Sequence, residues 1–132
     1  IIFHHAKQAD DAMAFAAASR RPITLLTAPG AAAYGGPGFY LAMVELAQQS
    51  HPKAAVRAIL DCGDDGAMAQ MALQLGWRGV VLRGKAAVRE KVCQIAETYG
   101  ADVLARPPKA VDPGPELTDL KEFLSTRFGI SY

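Results

Sequence analysis

Apolar positions along the chain follow two alternating patterns. Short apolar runs closed by glycine, proline or a charged residue are typical of buried strands. Between these runs, apolar residues recur every three or four positions. The clearest case places Val88, Val92, Ile95, Ala96 and Tyr99 on one side of a helix, which we expect to face a sheet. The predicted strands span residues 1–4, 23–28, 55–61, 79–83 and 102–106. The predicted helices span residues 10–19, 37–49, 66–75, 88–99 and 116–127.

Alternating strands and helices predict a single α/β domain over residues 1–132. A chain of this length has the usual size of one domain. We expect three layers, with a mostly parallel sheet of about five strands and helices on both faces, as in Rossmann-like and flavodoxin-like folds. A half-barrel is the alternative. The proline-rich segment 106–115 is expected to carry the last helix across the domain.

Charge and hydropathy exclude some classes of partner. Fourteen Lys and Arg residues oppose thirteen Asp and Glu residues, and the basic residues are scattered, so we expect no nucleic-acid binding. No apolar run approaches the length of a membrane helix, and the first residues lack the pattern of a signal peptide. We therefore expect a cytoplasmic protein with no membrane contact, in which Cys62 and Cys93 are free thiols.

A candidate ligand site follows from the expected sheet, because ligands of open parallel sheets bind beyond the carboxyl ends of the strands. The longest loop at that edge spans residues 27–38 and leads into a helix, whose N-terminus favours an anion. It lacks the ending of a P-loop and the spacing of a dinucleotide fingerprint, so a flexible turn without a ligand is the alternative. The candidate ligand-binding residues of this loop are Thr27, Gly30, Gly35, Gly36 and Gly38.

Charged residues at the ends of the later predicted strands extend this candidate site. Asp61 closes a central strand, and a carboxylate there needs a partner or a task. Arg83, one strand further along, is the expected partner, and Asp61 is the candidate catalytic acid/base or orienting group. Arg83, Lys85 and Arg106 are candidate anchors for an anion. The alternative is that each cation only extends from a strand end into water.

Other polar residues suggest less chemistry. We interpret Asp64 and Asp65 as caps of the next helix. Cys62 is interpreted as a small buried residue rather than a nucleophile. His4 and His5 lack the further ligands of a metal site, so we expect neither a metal nor a cofactor.

Two local motifs carry a resemblance to known proteins. With residues 27–32 reading Thr-Ala-Pro-Gly-Ala-Ala and residues 60–63 reading Leu-Asp-Cys-Gly, the chain resembles a group of small uncharacterised bacterial α/β proteins over most of its length. That resemblance implies no particular activity. Residues 66–84 are more loosely similar to a strand–helix unit of the phosphate-binding aldolase barrels. A Schiff-base lysine within a strand is absent, and Lys85 lies in the following loop.

Two classes of function remain open at this point, and the sequence establishes neither. The first is a binding protein or enzyme for a small anionic metabolite, phosphorylated or carboxylated, with its site at the carboxyl ends of the strands. The second is a non-catalytic module that self-associates as a homo-oligomer or docks to a partner. Its expected contact residues are Tyr40, Trp77, Phe128 and Tyr132.

Overall fold

Five strands within residues 1–129 form one parallel sheet. The structure is a computed structural model that describes residues 1–129. Each strand pairs in parallel with the next strand in the chain, so the order across the sheet is sequential. The expected α/β class with a parallel sheet is thereby confirmed. The strands are β1 (Ile2–Phe3), β2 (Ile23–Thr27), β3 (Val56–Asp61), β4 (Gly79–Val81) and β5 (Asp102–Leu104).

Helices occupy about half of residues 1–129, and several of them begin or end at recognisable caps. The Asp65 carboxylate accepts a hydrogen bond from the N–H of Met68, which confirms the predicted cap. Gly76 and Gly100 end two helices with positive φ angles of 115° and 65°. The helices are α1 (Ala6–Ser19), α2 (Ala32–Gly35), α3 (Pro37–Ser50), α4 (Gly66–Leu75), α5 (Ala86–Tyr99) and α6 (Lys121–Phe128).

The strand order decides how the helices are arranged. Right-handed crossovers between sequential neighbours place the connecting helices on the same face of a sheet. The contacts agree, because α1 packs on α3, α3 on α4, and α4 on α5. A doubly wound sheet reverses its order at one point, and no reversal occurs between β1 and β5. Within the α/β class, the structure therefore has the strand order of the half-barrel alternative.

Two apolar clusters lie on the two faces of the sheet. The larger one joins the helices to the sheet and contains Phe3, Met13, Leu60, Leu73 and Trp77 among its buried members. The smaller one, on the opposite face, has one residue from each strand. Its members are Ile2, Leu26, Ile59, Val81 and Leu104.

Residues 105–120, which we call the return segment, lead from one edge of the sheet to the other. The segment leaves β5 at Leu104, and the carbonyl of Val111 accepts a hydrogen bond of 2.8 Å from the N–H of Ile2, at the other edge of the sheet. Fully extended, the chain from residue 104 to residue 111 spans at most about 25 Å. The distance from β5 to β1 across the sheet, four interstrand spacings, is already about 19 Å. A path around the helix layer would be longer than this reach. Val111 and Leu117 of the return segment pack against the larger apolar cluster.

Some predicted element boundaries were wrong. The fourth strand ends at Val81 instead of residue 83, and the last helix begins at Lys121 instead of residue 116. On α5, Val92 and Ala96 are buried, but Val88 and Tyr99 are 40% and 43% exposed. The physical reason is that α5 ends the row of helices and packs mainly on α4 and β5, so part of its apolar side stays uncovered. Among residues 1–129, no helix is both long and apolar enough to cross a lipid bilayer.

Candidate functional site

Asp61 forms the centre of a polar cluster at the carboxyl edge of the sheet. It is the last residue of β3, and only 1% of it is exposed. Its Oδ1 accepts hydrogen bonds from the backbone N–H groups of Gly30 (3.1 Å) and Gly63 (2.9 Å) and from Nη1 of Arg83 (3.2 Å). Its Oδ2 accepts a bond of 2.9 Å from Nη2 of Arg83. The expected partnership of Asp61 with Arg83 is confirmed, and the buried carboxylate is fully hydrogen-bonded.

Thr27 supports this cluster from β2. Its side chain is completely buried, and Oγ1 accepts a hydrogen bond of 2.9 Å from the backbone N–H of Asp61. The hydroxyl thus ties the end of β2 to the end of β3. A ligand at the surface would not reach this group, so Thr27 has a structural contact where the sequence suggested a binding contact.

Close contact between loops closes the centre of this edge. A Cβ atom built on Gly63 would lie 4.0 Å from the Cα of Gly30, and one built on Gly84 would lie 3.4 Å from the Cβ of Asp64. Gly63 and Gly84 also have positive φ angles of 60° and 102°, which strain other residues. The loops after β2, β3 and β4 therefore pack against one another. Any ligand here binds on top of these loops rather than between them.

The glycine-rich loop separates into two parts. Gly30 lies beside Asp61, whereas residues 32–35 form α2, so Gly35 is helical. Gly36 and Gly38 lie at the start of α3, where the carbonyl of Pro37 accepts a hydrogen bond of 3.0 Å from Nε1 of Trp77. Trp77 precedes β4 and belongs to the amino end of the sheet. The structure therefore brings Thr27 and Gly30 to Asp61, whereas Gly36 and Gly38 lie at the start of α3, which packs on Trp77 and, through Tyr40, on Phe3.

Three cations remain at the carboxyl edge. The backbone N–H of Arg83 donates to the carbonyl of Gly63 (2.7 Å), and its guanidinium is held by Asp61 while 40% of the side chain stays exposed. Lys85 directly precedes α5 and is exposed, and Arg106 is exposed in the return segment just after β5. Within residues 1–129, neither Lys85 nor Arg106 forms an ion pair.

The histidines after β1 anchor the return segment. Nε2 of His4 lies 2.7 Å from Oδ1 of Asp112, and Nε2 of His5 lies 3.2 Å from the carbonyl oxygen of Leu117. The hydrogen bond with His4 is the main reason that the pKa of Asp112 is lowered, and it outweighs the opposing effect of burial. His5 also caps α1, because its Nδ1 accepts a hydrogen bond from the N–H of Gln8.

Gln8 is a polar residue that sequence reasoning missed. It is completely buried on α1, and its Nε2 donates to the carbonyls of Gly114 and Leu117 at 2.8 Å each. Its Oε1 accepts a bond from the N–H of His4. A lone glutamine in a helical pattern carries no signal of such distant partners. Gln8 therefore acts as a structural link between α1 and the return segment.

Cys62 has the properties of a buried structural residue. Burial raises the pKa of its thiol to about 12, and the nearby carboxylates of Asp61 and Asp65 add to the effect. A thiol with such a pKa is protonated at neutral pH and is a poor nucleophile. Cys93 is exposed and also free.

Comparisons with known proteins give no further assignment. No protein-family model matches the chain, and a search of curated proteins finds no significant similarity. Within residues 1–129, no group of three His, Cys, Asp or Glu side chains is arranged to hold a metal ion. The function must therefore be argued from the Asp61 cluster and the cations around it.

Proposed function

We propose that the carboxyl edge of the sheet binds a small anion, phosphorylated or carboxylated, through the exposed side of Arg83. The observation that carries this proposal is the paired contact between Asp61 and Arg83. It fixes the plane of the guanidinium, while 40% of the side chain remains exposed. A guanidinium has five N–H donors, and two of them are directed at Asp61. The remaining donors suit the oxygen atoms of a phosphate or carboxylate.

Because Arg83 is paired with Asp61, Lys85 and Arg106 must supply most of the net positive charge of the site. Asp61 neutralises much of the charge of Arg83, so Arg83 alone supplies orientation more than attraction. Lys85 and Arg106 are exposed and have no ion-pair partner within residues 1–129. Their charges therefore supply the long-range attraction that a small anion needs.

Asp61 is a positioning residue in this proposal. The sequence suggested an acid/base role, but both carboxylate oxygens already accept hydrogen bonds from Gly30, Gly63 and Arg83. A general base needs direct access to the proton that it removes. The contacts support a binding function, and we propose no reaction at this edge.

A titration with inorganic phosphate and with succinate tests this function. The double variant Lys85→Glu/Arg106→Glu should bind either anion at least tenfold more weakly than the unaltered chain, which corresponds to about 1.4 kcal/mol. Its thermal midpoint should stay the same, because both residues are exposed. Arg20→Glu/Lys53→Glu is the matched control, since it changes the net charge equally at exposed positions before β2 and β3, at the other end of the sheet. Equal weakening in the control, or no binding of either anion, would contradict the proposal.

Self-association is the second candidate, and exposed apolar residues favour it. Two residues that the sequence placed at an interface belong to the core: Tyr40 is 9% exposed and Trp77 is 2% exposed. Tyr132 lies outside the described residues, and Phe128 is 39% exposed. Other apolar side chains are more exposed on the outside of the helix layer. They are Tyr34, Phe39, Leu46, Met71 and Leu75.

Sedimentation velocity tests this second candidate. The apolar residues of α3 and α4 are neighbours, because a Cβ built on Gly38 would lie 3.9 Å from Leu75. An assembly through this surface should dissociate in Leu46→Lys, which places a charge at a position that is 63% exposed. A chain that is monomeric at high concentration would contradict self-association.

The remaining expectations from the sequence are proposals of the same kind. An exposed free thiol at Cys93 supports a reducing compartment such as the cytoplasm. The sequential strand order supports the likeness to a unit of an aldolase barrel, because successive strands are also neighbours in such barrels.

A further inference from the structure

A cavity lies at the opposite end of the sheet from Asp61 and Arg83. It has a volume of about 650 Å³, which is within the range of small-molecule sites. It is open to solvent on one side and is lined by the residues that lead into β2, the middle of the return segment and the end of α6. Its apolar wall includes Pro22, Ile23, Val111 and Phe128.

The charged residues of this cavity are all cations. Arg21 comes from the start of β2, Lys109 from the return segment and Arg127 from α6. Among residues 1–129, no acidic residue lines the cavity, although the chain has nearly as many acidic as basic residues. Within residues 1–129, these three side chains form no ion pair. Three separate segments thus place unpaired positive charge around one apolar space.

We propose that this cavity binds an amphiphilic carboxylate, a small molecule with an apolar chain or ring that ends in a carboxylate group. The apolar wall removes the body of such a ligand from water. The guanidinium and ammonium groups of Arg21, Lys109 and Arg127 meet its charged end at the rim. A purely polar anion would leave the apolar wall unused, and an uncharged chain would leave the cations without a counter-charge.

Calorimetric titration with decanoate tests this inference, with two comparison ligands. Decanol has the apolar chain without the charge, and inorganic phosphate has the charge without the apolar chain. Decanoate should bind, and Arg21→Glu/Lys109→Glu should weaken that binding at least tenfold. Arg21→Gln/Lys109→Gln should weaken it less, and this variant replaces the first one if charge reversal disturbs the fold. The control Lys53→Glu/Lys91→Glu should bind decanoate like the unaltered chain.

Separate variants distinguish this cavity from the carboxyl edge. Lys85→Glu/Arg106→Glu should weaken phosphate binding and leave decanoate binding unchanged, because those residues do not line the cavity. Failure of one site therefore does not imply failure of the other. The inference is overturned if decanoate does not bind or if decanol binds equally well. It is also overturned if Arg21→Glu/Lys109→Glu and Arg21→Gln/Lys109→Gln both bind decanoate as tightly as the unaltered chain.

Discussion

Asp61 and Arg83 form a two-point contact across neighbouring strands, with N–O distances of 3.2 and 2.9 Å. The register of the sheet pairs Asp61 with Val81, and the two hydrogen bonds place the side chain of Arg83, two residues beyond the end of β4, beside Asp61. The carboxylate is buried, while the guanidinium reaches the surface. This arrangement joins the ends of β3 and β4 and gives Arg83 one fixed orientation.

Loss of Arg83 should destabilise the fold. In Arg83→Ala, the Asp61 carboxylate stays buried without its counter-charge, and breaking such a pair typically costs 3–5 kcal/mol. We expect about 3 kcal/mol, because the guanidinium is 40% exposed and solvent already screens part of the interaction. Urea denaturation measures the loss.

A second substitution tests the cause of this loss. Adding Asp61→Asn to Arg83→Ala should restore part of the stability, because a neutral amide oxygen still accepts hydrogen bonds from Gly30 and Gly63. If the double variant is no more stable than Arg83→Ala alone, the unpaired charge is not what destabilises the single variant.

The link between His4 and Asp112 should make stability depend on acid pH. The pKa of Asp112 is lowered in the folded chain, chiefly by the hydrogen bond with His4. Its contribution to stability is therefore present above its ordinary pKa of 3.8 and is lost as the pH falls through the lowered value. Denaturation curves at pH 6 and pH 3 should differ less in Asp112→Asn than in the unaltered chain. Equal pH dependence of the two chains would show that this link does not titrate.

The two cysteines should differ strongly in reactivity. A pKa of about 12 leaves about one Cys62 thiol in ten thousand ionised at pH 8, and the side chain is also buried. Cys93 is exposed on α5. Brief treatment with iodoacetamide, followed by mass spectrometry, should show alkylation at Cys93 alone. Rapid alkylation of Cys62 in the folded chain would instead indicate an accessible, activated thiol.

Local signals in the sequence predicted the elements well and their arrangement less well. The cap at Asp65 and the pairing of Asp61 with Arg83 depend on short-range rules and on adjacent strands, so both were predictable. The strand order was not, because strand–helix alternation fits sequential and doubly wound sheets equally. The exposure of Val88 on α5 follows from that order, since α5 lies at the end of the row of helices.

Long-range polar contacts were the least predictable part of the candidate site. Gln8 bonds to residues more than one hundred positions away, and this link depends on the path of the return segment. The loop after β2 was expected to be one glycine-rich unit. Its second half instead forms α2 and the start of α3, where the carbonyl of Pro37 bonds to Trp77. No periodic pattern marks such a contact between the start of a helix and a distant loop.

A nuclear magnetic resonance titration with inorganic phosphate tests the central claim most directly, because it locates the bound anion. The proposed site predicts saturable shifts of the Arg83 Nε–H resonance and of the backbone amides of Gly84 and Lys85. The amide of Thr24, at the amino end of β2, should not shift. Unchanged Arg83 and Lys85 resonances at saturating phosphate, or shifts confined to the amino end of the sheet, would contradict anion binding at the carboxyl edge.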